Sequence, residues 1–400
     1  MCNYIILFLL SLIAQPLIAQ KSHTLSIKTS IATSLPVMGV AGPVAGVLQN
    51  HLIVAGGANF PHGMPWKGGS KTYHDEIFIY HRTEKKEHQQ HKSSTANARN
   101  SKIPLALELV AQDQQLPEPI AYAALCNIED GLIVIGGENT SGISNKVWLL
   151  QWQPFNKKIE FKSYPALPIP ITNASAICIN SRIYLLGGET ATTTSDMMYL
   201  LDKTQLNKGW QVLGKIPKPL SHMVLTAIEN EQGTSLYVMG GRQKSPSGVS
   251  SFSNQTFRYQ IQTNAWETLA DMPYPMSAGT GVWLNADQIL LFGGDKGIVF
   301  NQVEKLLVAI AKESDPEKKQ ALINQKNKLQ ESHPGFSKEI LGYAAKTNRW
   351  QVVGHLSEET PVTTQAFIWN DAVYIPSGET KAGVRSPHIL KINIQPPNRE

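Results

Sequence analysis

His51–Gly57 reads HLIVAGG, an apolar strand running into paired glycines. The pattern returns as Gly131–Gly137 (GLIVIGG), Arg182–Gly188 (RIYLLGG), Ser235–Gly241 (SLYVMGG) and Gln288–Gly294 (QILLFGG). A sixth copy, Ala372–Gly378 (AVYIPSG), carries Ser377 in place of the first glycine. Ahead of each copy lies a second apolar stretch rich in small residues: AGPVAGVL, AYAALCNI, NASAICI, HMVLTAI, GTGVWL and QAFIW. Small side chains suit strands crowded around a common axis.

Working outward, a proline-marked turn precedes those stretches, as in Leu116-Pro117-Glu118-Pro119, Leu167-Pro168-Ile169-Pro170, Ile216-Pro217-Lys218-Pro219 and Met272-Pro273-Tyr274-Pro275. Proline fixes φ and cannot donate to a ladder, so these segments are connections rather than central strands. Upstream again, Trp210, Trp266 and Trp350 mark an outer strand. Each unit is then an inner strand, a strand ending in Gly-Gly, a third strand such as Glu76–Tyr80 or Thr256–Ile261, and an outer strand with an aromatic. Four antiparallel strands per unit of roughly 50 residues make a propeller blade of the kelch type. Six glycine doublets give an all-β, six-bladed kelch-type β-propeller.

Ring closure is also legible. After Gly378 only one further strand remains, around His388–Asn393, so Thr24–Thr29 is expected to supply the missing outer strand of the last blade and remove its exposed edge. Two segments depart from the repeat. Thr83–Ser101 is polar and reads as a floppy hairpin insertion in blade one. Asn301–Ser337 reads as a helical insertion in blade five, with Asp315 as cap, Pro316 at the first helical position and His333-Pro334-Gly335 as its end.

The first 20 residues, MCNYIILFLLSLIAQPLIAQ, read as a secretory signal cleaved after Ala19. The expected organisation is a signal peptide at 1–19 and one propeller domain at 20–400, exported to the periplasm or secreted. No later segment is apolar enough to span a membrane. The net charge of +5 comes from scattered Lys and Arg without a basic stripe, which argues against nucleic-acid binding. Cys126 and Cys178 read as thiols of core strands. His88 and His91 have no further ligand nearby, so neither metal nor cofactor is expected. Nothing in the sequence speaks to oligomeric state.

On a rigid repeat, binding belongs to the loops that vary. Those following the doublets are unequal: Ala58–Asp75 in blade one, Arg242–Asn254 in blade four and the helical insertion in blade five. The residues right after the doublets are Ala58, Glu138, Glu189, Arg242, Asp295 and Glu379. Five of the six are charged, which predicts a polar ring at one channel mouth.

Ser377–Arg385, SGETKAGVR, resembles the motif of the sialic acid mutarotases, the N-acetylneuraminate epimerases. Val40–Pro61, VAGPVAGVLQNHLIVAGGANFP, is similar to the blade that follows that motif in the enterobacterial enzymes, but here it comes first. That order resembles the cyclically permuted mutarotase family of kelch propellers, and SLYVMGG and TNRWQVVGHL extend the likeness. The resemblance implies an isomerase that interconverts the anomers of an acidic sugar, N-acetylneuraminate, by acid–base ring opening without a cofactor. It places proton transfer on Glu379 and the substrate carboxylate on Arg385. Arg242, Glu138, Glu189, Asn59 and Asp295 are candidates for further sugar contacts. A second acid or base is not identified. A non-catalytic propeller binding a glycan or a protein, and a mutarotase for another sugar, stay open as alternatives.

Overall fold

The computed structural model describes residues 25–83, 106–231 and 233–395. The expected signal peptide at 1–19 and most of the polar segment Thr83–Ser101 lie outside the described residues. Six four-stranded antiparallel sheets follow one another around an axis. Blade one, for example, pairs Val44–Leu48 with His51–Ala55, then Glu76–Thr83, then Ala106–Gln115. Blade six comprises Phe367–Trp369, Ala372–Pro376 and His388–Gln395, and its outer strand is Ser26–Ser34 from the other end of the chain. That strand pairs from Ser26 opposite Gln395 to Ser34 opposite His388, so the expected closure holds.

Each strand alternates its side chains between the two faces of a blade, and both faces are covered by neighbouring blades. The apolar core is accordingly divided into six clusters, one in each seam. Outer-strand tryptophans tie blades together through their ring N–H: Trp210 donates to Pro165 O at 2.8 Å and Trp350 to Ala270 O at 3.0 Å. Both acceptors lie in the connection that leads from the preceding blade into the Trp-bearing blade, which fixes that otherwise unpaired segment. Cys126 is buried in the inner strand of blade two, Cys178 is half-buried in that of blade three, and both are free thiols.

The doublets are stitches between blades. The N–H of the second glycine donates to the next blade in Gly57→Ile120 O, Gly137→Ile171 O, Gly188→Leu220 O and Gly241→Met276 O, at 2.7–2.9 Å. The first glycine lies at φ near +60°, and a Cβ on Gly136 would sit 2.2 Å from Ile171 O. At Gly136 a side chain would collide with that carbonyl, so glycine fits the approach. At the closing seam Ser377 takes this place at φ +53°, fully buried. Its hydroxyl accepts from Val40 N at 2.8 Å and lies 2.9 and 2.8 Å from the carbonyls of Val40 and Ser386.

Two features place the functional end. Each residue after a doublet forms an antiparallel bridge to its own blade's entry segment: Ala58 to Ala41, Glu138 to Ala121, Glu189 to Thr172, Arg242 to Ser221, Asp295 to Ser277 and Glu379 to Val362. The next residue in every entry segment has left-handed φ: Gly42, Tyr122, Asn173, His222, Ala278 and Thr363, at +52° to +63°. Their N–H groups donate around the axis, Tyr122 to Gly42, Asn173 to Tyr122, His222 to Asn173, Ala278 to His222, Thr363 to Ala278 and Gly42 to Thr363, at 2.7–3.0 Å. Six backbone amides thus form a closed hoop.

The insertion in blade five is a pair of helices, α1 (Ile298–Lys312) and α2 (Pro316–Glu331). As expected, Asp315 caps α2, accepting from the N–H groups of Glu317 and Lys318, and Pro316 opens it. The helical region starts three residues earlier than the sequence suggested. Its N-cap is Gly297, in the left-handed region and without a side-chain cap, and Asp295 accepts from Gly297 N–H at 2.8 Å in the turn that leads in.

Candidate active site at the channel mouth

The post-doublet bridges give the six blades equivalent geometry, so side chains that differ in chemistry converge on one place. Glu138, Glu189, Arg242, Asp295 and Glu379 all line a cavity of about 460 Å³, together with Arg385. The hoop residues Tyr122, Asn173, His222, Ala278 and Thr363 also line it. Val299, Phe300 and Val303 of α1, Trp66 of the blade-one loop, Phe252 of the blade-four loop and Phe336 add an aromatic and aliphatic wall. The cavity therefore has a polar floor and an apolar cover.

The cover is fastened on two sides. Glu304 on α1 accepts from Ser250 N–H at 2.6 Å and from its hydroxyl at 2.8 Å, while Phe300 meets Phe252 edge-on at 5.5 Å. On α2, Asn327 donates to Trp66 O and Glu331 pairs with Lys67 at 3.0 Å.

Asn59 is the one proposed contact that does not reach this cavity. In an extended segment neighbouring side chains face opposite ways, and it is Ala58, not Asn59, that holds the bridge position equivalent to Glu138 and Glu379. Asn59 is buried, donating to Gly39 O and bonded through Oδ1 to His74 Nε2 at 2.8 Å. It holds the blade-one loop rather than a ligand.

Glu379 and Arg385 stand opposite each other on a two-strand ribbon, with Gly383 at φ +75° in its turn. A Cβ at Gly383 would lie 2.7 Å from Met64 Sδ, so the ribbon packs tightly under the blade-one loop. Glu379 Oε1 accepts from Gly383 N–H at 2.8 Å, and Oε2 lies 3.3 Å from Arg385 Nη2. Burial raises the Glu379 carboxyl above its ordinary pKa, with Asp295 adding to the rise, against the opposing pull of Arg385 and the Gly383 amide. Arg385 stacks on Phe60 at 4.7 Å, has the Tyr122 phenol beside it and is 7% exposed, yet its Nε and Nη1 make no hydrogen bond among the described residues. Buried guanidinium donors without acceptors are aimed at something the protein itself does not supply.

Elsewhere the charges are more fully spoken for. Glu138 accepts from Tyr73 OH at 2.8 Å and Lys71 Nζ at 3.3 Å. Glu189 is held by Ser221 Oγ at 2.8 Å, Arg242 Nη2 at 3.1 Å and Lys244 Nζ at 2.7 Å. Its burial alone would raise the pKa, but the surrounding His222, Arg242 and Lys244 win and bring it to about 2. Burial, Arg242 and Lys244 depress His222 to about 3, against the opposing pull of Glu189. Burial raises Asp295, partly offset by the Gly297 amide. Burial pushes the Tyr122 phenol to about 12.

The sequence reading assigned no role in the site to Tyr122, Lys71, His222 or the rest of the hoop. The signal available was positional: each lies in the entry segment 16 to 20 residues before a post-doublet residue or in the blade-one loop.

Residues 164–399 match the model of the family described as N-acetylneuraminate epimerase. This stretch contains blades three to five and all of blade six but its outer strand, and with them Glu189, Arg242, Asp295, Glu379 and Arg385. The chain is similar to the N-acetylneuraminate epimerase of Salmonella typhi, 26% identical over 57% of each chain. It is also similar to those of Pasteurella multocida, 27% identical over 56% of this chain and 57% of the relative, and Haemophilus influenzae, 24% over 56% and 58%. The matched stretch spans somewhat over half the length of these relatives.

Proposed function

Since the chain belongs to the N-acetylneuraminate epimerase family, we propose that it interconverts the α and β anomers of N-acetylneuraminate by acid–base ring opening at the channel mouth. The observation that carries this reading is the pairing of a carboxyl of raised pKa, Glu379, with a buried guanidinium that has two unused donors, Arg385. An acidic sugar bears its carboxylate on the anomeric carbon. A guanidinium fork is the best partner for that group. Bound there, the anomeric centre lies next to Glu379.

A protonated Glu379 gives its proton to the ring oxygen as the bond from that oxygen to the anomeric carbon breaks. The bond electrons stay on the ring oxygen. The proton of the anomeric hydroxyl passes to the other carboxylate oxygen, directly or through water, leaving an open-chain carbonyl. Rotation and reclosure on the other face reverse both transfers. A raised pKa brings the carboxyl nearer to working pH, where acid and base forms are both accessible. The apolar cover limits water, which strengthens the Arg385–carboxylate contact.

Export to the periplasm or beyond is part of the same proposal and is supported by the signal-like residues 1–19. Among the described residues, no helix is long and apolar enough to cross a membrane. The test is one-dimensional proton NMR of N-acetylneuraminate freshly released as the α anomer. Conversion accelerated by the protein and lost in Glu379→Gln supports the reading. Acceleration that survives the substitution moves the chemistry off Glu379, and absence of acceleration rejects mutarotation of this sugar.

A further inference from the structure

Ser221 and Ser277 hold the same position in blades four and five, each bridging to the residue after its own blade's glycine doublet. Their hydroxyls have different fates. Ser221 Oγ donates to Glu189, the post-doublet carboxylate of the preceding blade, at 2.8 Å. For Ser277 the preceding blade offers Arg242 at that place, a donor, so the hydroxyl proton meets no such acceptor. Ser277 is 2% exposed, its Oγ has no partner among the described residues, and it lines the cavity. A buried hydroxyl left unpaired costs free energy that a ligand with a matching group recovers.

His333 lines the same cavity from the turn that follows α2. Its Nδ1 accepts from Gly335 N–H at 3.0 Å, so the neutral ring carries its proton on Nε2. Burial favours that neutral form, while Asp295 and Lys381 act on the ring in opposite senses. Nε2–H makes no hydrogen bond among the described residues. Asp295 accepts from Gly297 N–H through Oδ1, and its second oxygen makes no hydrogen bond among them either. Phe336 meets the His333 ring at 5.0 Å, and Val299 and Phe300 of α1 line the same cavity.

Two spare donors, one spare acceptor and an apolar wall match a secondary amide that ends in a methyl group. The amide oxygen takes two donors, its N–H needs an acceptor, and the methyl gains from apolar cover. A hydroxylated chain would leave the wall unused. We propose that Ser277, Asp295 and His333 form a subsite for the acetamido group of the sugar. His333 Nε2–H and the Ser277 hydroxyl donate to the amide oxygen, and Asp295 accepts from the amide N–H. The subsite belongs to blade five, next to the blade that carries the Glu379–Arg385 ribbon. This deepens the mutarotase reading and rests on it for the identity of the sugar.

Calorimetric titration compares N-acetylneuraminate with the analogue that carries a hydroxyl in place of the acetamido group. Anomerisation rates of both sugars are recorded on the same samples. Wild-type protein should bind the acetamido sugar about tenfold more tightly, the worth of one hydrogen bond and a covered methyl. His333→Phe keeps a ring beside Phe336 and removes the donor. It should weaken N-acetylneuraminate about tenfold and the analogue less than about twofold. Equal losses with both sugars overturn the subsite, and accelerated anomerisation then leaves the mutarotase reading standing. A selective loss without accelerated anomerisation keeps the subsite and removes mutarotation. Absence of binding by either sugar overturns both. An Nδ1–H tautomer of His333 in a long-range ¹H–¹⁵N spectrum also overturns the subsite. Ser277→Ala is the second variant, because its hydroxyl has no partner to lose on folding. Its melting temperature should hold or rise while affinity for N-acetylneuraminate falls about fivefold. A lowered melting temperature or an unchanged affinity overturns the proposal.

Discussion

Two Arg–Glu pairs share one cavity and occupy related positions, yet they end in opposite electrostatic states. Glu189 and Glu379 each follow a glycine doublet and each bridges back to its own entry segment. Glu189 meets Arg242, Lys244 and a serine hydroxyl, and is ionised down to about pH 2. Glu379 meets one arginine and one backbone amide, and burial raises its pKa instead. The arginines differ in the same sense. Arg242 is engaged by Glu189, His222 and Phe300, whereas Arg385 keeps two nitrogens unused. A repeat fixes where a side chain points; the count of neighbouring donors decides whether it becomes scaffold or reactive group.

The sharpest way to break this comparison is Glu379→Gln. The expected result is a loss of catalysed anomerisation of about 10³-fold, within the range for general acid–base catalysis. Stability should be unchanged or higher, because a carboxyl whose folded pKa is raised costs stability as pH rises through that value. Denaturant melts beside the NMR rate check both halves.

Glu189→Gln should do the reverse. Its folded pKa of about 2 lies below the ordinary 4.5, so its stabilisation is present above pH 4.5 and lost as pH falls toward 2. That gap corresponds to about 3 kcal/mol. Urea titrations should show the variant less stable by about that amount at pH 7, with the difference shrinking at pH 3. Equal stability at pH 7 would make the two pairs alike after all.

Arg385→Lys keeps the charge and removes the fork. Calorimetric titration with N-acetylneuraminate should show affinity weakened about 30-fold, the worth of a charge-assisted bidentate contact over a point charge. The smallest effect belongs to Lys244→Gln. Lys244 is 45% exposed, and the expected stability loss is about 0.5 kcal/mol, read from the same urea titrations.

The blades, their number, the closing strand and the charged mouth could be read from the sequence because each rests on a repeated local pattern. HLIVAGG and its five relatives report both strand and stitch, and the shortage of strands after Gly378 points to the N-terminal partner. Asn59, a candidate sugar contact, lies one residue past the post-doublet position, and in the structure its side chain is bonded to Gly39 O and His74. α1 was entered late because its N-cap is Gly297, which carries no capping side chain to mark the start. His222, Tyr122 and Thr363 were hidden for another reason. Their common property is a backbone angle, and residues as unlike as glycine, histidine and threonine satisfy it.

The amide hoop on the floor has a kinetic consequence. Its closing link, Gly42 N–H to Thr363 O, joins positions near the two ends of the described chain. A chain with five blades formed has the hoop open, and every other link then hangs on a partner that is free to tilt. Hydrogen bonds that point the same way around a circle polarise one another, so each is strongest when all are made. The six amides should therefore exchange with solvent deuterium as one group, at the rate of whole-ring opening rather than blade by blade. An exchange pattern of that kind would mark the last blade, not the first, as the one that sets the lifetime of the site.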